Sequence, residues 1–124
     1  MRFMMIYKPA NFKDMEAGVP PTQENMAAMG KLIEEFVQSG AMLATDGLMA
    51  SSKGARVKQS NGSVAVTDGP FTEAKELIGG FAIFQLASKA EAIELTKRFL
   101  NTAGDGEVEI RQMYDQPAFP PQKP

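Results

Sequence analysis

From Arg2 to Lys8 the apolar side chains occupy both parities of the chain, with Phe3, Met5 and Tyr7 opposing Met4 and Ile6. That pattern predicts a strand that is apolar on both faces, and Pro9 ends it. The polar stretch from Asn11 to Asn25 reads as a connection stiffened by Pro20 and Pro21. In it Thr22 is placed to cap a helix, and Glu24 lies near that helix's positive end. Met26, Met29, Ile33, Phe36 and Val37 then fall at offsets of 3, 7, 10 and 11, one face of an α-helix that stops at Gly40. A second strand spans Ala41 to Met49, and Ser51 to Gly54 leads into a third.

Two β-type runs flank Asn61-Gly62, a pair that tolerates the positive φ values of a type I′ turn, so Ala55 to Thr67 is predicted to be a hairpin. Arg56 and Lys58 alternate with Val57 and Gln59, which leaves one face of that ribbon in water. Leu77 to Ala87 is a long apolar strand. A second helix follows from Ser88, which with Glu91 has the spacing of a capping box, and Ala92, Leu95 and Phe99 lie along its apolar side with Thr96 and Leu100. In the last strand, Glu107 to Tyr114, Glu109 and Arg111 alternate with Val108 and Ile110. The rest of the chain, residues 116–124, is read as a proline-rich tail after a domain of residues 1–115.

The order strand, helix, strand, hairpin, strand, helix, strand predicts an α+β, ferredoxin-like split β-α-β sandwich with an inserted β-hairpin and both helices on one face of the sheet. The strand from Phe81 repeats the pattern of the first, with Phe81 and Ile83 opposing Ala82, Phe84 and Leu86. Two helices cover one face only, and the second would leave more apolar surface than monomers usually carry. A second copy packed sheet on sheet about a two-fold axis is the simplest cover, so a homodimer is expected.

Composition narrows the chemistry. The formal charge is −2, and the 13 basic residues are scattered, so no positive field draws nucleic acid. No segment approaches the roughly 20 apolar residues of a membrane span, and a cytoplasmic protein is the expectation. Cysteine and histidine are both absent, which removes thiolate nucleophiles, imidazole acid/base catalysis and the commonest metal ligands. No cofactor or metal site is expected, and proton chemistry would fall to Asp, Glu, Lys or Tyr.

The strip "TDGPFTEAKELIGGF", residues 67–81, concentrates the remaining candidates. Asp68-Gly69-Pro70 reads as a turn, Thr72 as a cap on a helical turn from Glu73 to Glu76, and Gly79-Gly80 as a bulge or a place of close backbone approach. The alternative is a site in which Asp68 and Glu73 move protons while Lys75, Glu76, Arg111 and Tyr7 hold a small ligand. Asp46 reads as a turn residue. Glu109 and Arg111 read as an edge-strand ion pair or as a guanidinium ready for an anion. Tyr7 and Tyr114, placed on outer strands, are either cleft donors or buried rings.

The "DGPFTEAKE" stretch with its following Gly-Gly, the opening "MRFMMIY", the "DGL" after the first helix and the closing "VEIRQM" together resemble the DGPF branch of the YCII-related proteins. The resemblance covers residues 1 to about 115. It implies a ferredoxin-like subunit that dimerises into an α/β barrel. Some of the wider group carry a His–Asp pair proposed as catalytic, with the His on the first helix. Here that helix offers Met26, Ala27, Ala28, Met29 and Gly30, and the pair has no counterpart. The resemblance also implies a regulatory partner among extracytoplasmic-function sigma factors, whose genes often neighbour those of the family. Two functions are thus expected to compete: a homodimer binding a small molecule or partner protein, and an enzyme using carboxylate acid/base chemistry.

Overall fold

The computed structural model describes residues 1–115. Six strands and three helices follow one another: β1 (Arg2–Pro9), α1 (Phe12–Glu16), α2 (Gln23–Gln38), β2 (Met42–Gly47), β3 (Ala55–Ser60), β4 (Ser63–Asp68), β5 (Gly80–Gln85), α3 (Lys89–Ala103) and β6 (Gly106–Gln112). A 3-10 turn, Ser51–Lys53, precedes β3. The four-stranded sheet has the order β2-β5-β1-β6, antiparallel throughout, and β3-β4 forms a separate ribbon. Strand, long helix, strand occurs twice around the inserted ribbon, which is the ferredoxin-like α+β arrangement expected from element order.

Local chemistry sets the ends of the long helices. Thr22 accepts the Asn25 amide at 3.1 Å, and Ser88 accepts the Glu91 amide at 3.2 Å. The Glu91 carboxylate reaches back to the Ala87 amide at 3.1 Å, one residue ahead of the cap. Gly40, just past α2, has φ +79°. In the ribbon Asn61 (φ 50°) and Gly62 (φ 82°) both take the positive φ that its tight turn needs.

The core lies between α2, α3 and one sheet face. Phe3 and Met5 from β1, Phe84 from β5 and Leu86 just past it meet Leu32, Phe36 and Ala92 from the helices, and the Phe36 and Phe84 rings pack edge to face at 5.3 Å. Leu32, absent from the apolar stripe read along α2, is buried, whereas Met26 and Val37 are exposed at 52% and 55%. The helix is rotated so that its inner line runs through Leu32 and Phe36, with Met29 and Ile33 half-buried beside them. On the opposite sheet face Met4, Ile6, Phe81 and Ile83 form two adjacent cross-strand pairs, Met4 with Ile83 and Ile6 with Phe81, all half-buried.

Three further expectations change. The connection after β1 contains α1, a five-residue helix too short to show a periodic apolar face. Residues Glu73 to Glu76 are not helical: the Ala74 amide closes a turn on the Phe71 carbonyl, and Thr72 caps nothing. Finally, β1 is an inner strand, so Tyr7 stands mid-sheet, while Tyr114 lies beyond the end of β6 and is exposed at 75%. The expected tail, residues 116–124, lies outside the described residues. Among those described, no helix is long and apolar enough to cross a membrane.

Candidate functional site

Toward the C-terminal end of β1 the two long helices leave a cavity of about 560 Å³ between themselves and the sheet. Its floor is Met5, Tyr7, Ala82 and Val108, and its roof is Met29, Ile33, Leu95 and Phe99. Glycine shapes the floor, because Gly80 and Gly47 follow Tyr7 along one row across β1, β5 and β2. A Cβ on Gly80 would stand 2.9 Å from the Asp46 carbonyl oxygen, so the close approach read from Gly79-Gly80 is real at this position. Among the described residues no Lys or Arg lines the cavity.

Tyr7 is the polar group best placed in it. Its ring meets Phe99 edge to face at 5.1 Å, and its hydroxyl makes no hydrogen bond to protein among the described residues. Burial, aided by the nearby Asp105 carboxylate, pushes the phenol above its usual range and keeps it a neutral donor. Thr45 is turned away from such a role, since its hydroxyl donates to the Phe81 carbonyl at 3.0 Å.

The sheet's other face carries a second cleft, of about 600 Å³, with a different character. Ile6, Phe12, Met15 and Ile78 line it beside Lys8, Arg56, Glu76 and Glu109. Lys8 is the hub of its charges: Glu76, Glu109 and Glu107 lie 3.3, 3.4 and 3.7 Å from the ammonium, whose side chain is 17% exposed. The hydrogen bond to Glu76, with that to Glu109, holds Lys8 above the ordinary lysine range against the opposing effect of partial burial. Arg111, chiefly, and Lys8 hold Glu109 below the ordinary glutamate range. Lys8 and Glu109 are thus each held in the charged form by their neighbours.

The strip around Asp68 forms a corner. Asp68 ends β4, the Gly69 amide donates to the Gly54 carbonyl at 3.0 Å, and the Phe71 amide donates to the Ser51 hydroxyl at 3.0 Å. The Ser51 amide in turn donates to Glu16 at 2.7 Å. A Cβ on Gly69 would lie 1.7 Å from the Ser51 carbonyl oxygen, so the corner is closed against the 3-10 turn. Glu73 pairs with Arg56, whose guanidinium also sits 3.8 Å above the Phe71 ring. Its own backbone amide first, then Arg56, lowers the Glu73 pKa.

Of the residues singled out from the sequence, Tyr7 lines the apolar cavity and Glu76 the charged cleft, on opposite sides of the sheet. Asp68, Glu73, Lys75 and Arg111 line neither. Arg111 and Glu109 pair at 3.1 Å on the edge strand β6. Lys8 went unread, although it shares the parity of Met4 and Ile6 and β6 offers acids at alternate positions. Only the register, which sets Ile6 against Glu109 and Lys8 against Glu107, brings them together.

Two comparisons with known proteins bear on this arrangement. An uncharacterised protein of Rhizobium meliloti (strain 1021) is 28% identical over 89 residues, which span 71% of this chain and 72% of that one. The description of a YCII-related domain matches residues 1–116. That match takes in every strand and helix of the sandwich, its inserted ribbon and both cavities, and the chain therefore belongs to the YCII-related domain family.

Proposed function

We propose that this protein is a homodimeric binding module that takes a small apolar molecule between its sheet and its two long helices. The cavity there carries the reading: at about 560 Å³ it has the size of a small-molecule pocket, its lining is mostly aliphatic and aromatic, and both α2 and α3 contribute to its wall. Of the two residues named for acid/base catalysis, Glu73 is paired with Arg56 and Asp68 ends β4 at the corner, and neither lines this cavity. That distribution favours binding over chemistry by Asp68 and Glu73.

Dimerisation belongs to the same reading. The row of Met4, Ile6, Phe81 and Ile83 is the face that neither long helix covers, and a two-fold copy stacked there would complete an α/β barrel. The DGPF-branch likeness, a cytoplasmic location and a sigma-factor partner enter on the family resemblance, and co-purification with such a factor is the test of that partnership.

Ligand binding is tested with the neutral fluorophore N-phenyl-naphthylamine. The expected result is saturable binding with a rise in thermal stability, both weakened in Ala82→Leu, which fills the floor of the cavity. Absence of saturable binding, or binding undiminished in a folded Ala82→Leu protein, contradicts the proposal.

A further inference from the structure

The lining of the apolar cavity also discriminates between ligand charges. Anionic ligands usually meet Lys, Arg or a free helix N-terminus, and here no basic side chain among the described residues lines the cavity. Among the described residues the one charged side chain in the lining is Asp46, and a second carboxylate, Asp105, lies close enough to Tyr7 to perturb its phenol. The N-terminus of α2 stands at the mouth, where Pro21 lines the cavity, but Glu24 in its first turn and the negative end of α3 beside Ala103 offset its positive field. An anion entering would lose its water and gain no cation.

A neutral ligand meets a different balance. The Tyr7 hydroxyl has no protein partner among the described residues, and it sits at the edge of an apolar surface, half-buried. A phenol in that setting donates one directed hydrogen bond at small desolvation cost. We propose that the cavity takes largely apolar molecules bearing a neutral carbonyl or similar acceptor in preference to their anionic counterparts, and that the Tyr7 hydroxyl positions them by donating to that acceptor. This rests on the cavity being a ligand site and adds the class of ligand and the residue that reads it. The raised phenol pKa is consistent with a donor that stays protonated across the neutral range.

The test uses two molecules of nearly identical shape, phenylbutanamide and phenylbutanoate, as competitors of N-phenyl-naphthylamine on the full chain. The amide is expected to displace the fluorophore at about a tenfold lower concentration than the carboxylate, the scale of one uncompensated charge at a partly wet site. Tyr7→Phe is expected to weaken the amide about fivefold more than it weakens the fluorophore, which carries no carbonyl, the scale of one neutral hydrogen bond. Equal or tighter binding of the carboxylate overturns the selectivity. An amide weakened no more than the fluorophore in Tyr7→Phe overturns the role of the hydroxyl. Failure of the fluorophore itself to bind removes the ligand site and the selectivity with it, a result distinct from the other two.

Discussion

Gly69 and Gly30 show how differently one residue type acts at two places in the chain. A methyl group at Gly69 would overlap the Ser51 carbonyl oxygen, a backbone atom fixed by the 3-10 turn, whereas nothing lies within 4 Å of one at Gly30. Gly69→Ala is therefore expected to destabilise the fold by about 3 kcal/mol, the upper range for overpacking, and Gly30→Ala, inside α2, to stabilise it by about 0.8 kcal/mol. Denaturant titrations of the two variants check both signs. The ion pairs of Lys8, Glu109 and Glu73 carry a prediction at this scale too. Glu109 and Glu73 have depressed folded-state pKa values, so their stabilisation is present above the ordinary glutamate value of about 4.3 and fades as pH falls through the folded values. Lys8 is raised, so its contribution is present below about 10.4 and fades as pH climbs through the folded value. An NMR titration of the Glu109 carboxyl should find its midpoint below the usual range, rising in both Arg111→Gln and Lys8→Met. A midpoint unmoved by either change would contradict the pairing.

At the scale of elements, stability is concentrated at ends and turns that the sequence marks plainly. Ser88 caps α3, and its replacement by Ala should cost about 1 kcal/mol in chemical denaturation, with Ser88→Asp recovering most of it. Thr22, Ser88 and Asn61-Gly62 were legible because each acts through neighbours within about three residues. The short helix α1 was not, since five residues carry too little periodicity, and the rotation of α2 that buries Leu32 is decided by the sheet it packs on. The same limit hid Lys8, whose partners on β6 lie about a hundred residues away and meet it only through register. Tyr7 and Gly79-Gly80 foreshadowed parts of the apolar cavity's lining, but the space itself lies between layers and leaves no local pattern.

The whole molecule is governed by a sheet that is apolar on both sides. One side is closed by α2 and α3 around Phe3, Phe84 and Phe36; the other presents Met4, Ile6, Phe81 and Ile83, edged by α1 and the charged cleft. Those four side chains in a cross-strand block are what a two-fold partner would bury, and strands with alternating polar residues would have had no such need. Sedimentation equilibrium at micromolar concentration tests this most directly. A mass of twice 13.4 kDa is the predicted result, and a single stable species of 13.4 kDa would contradict it.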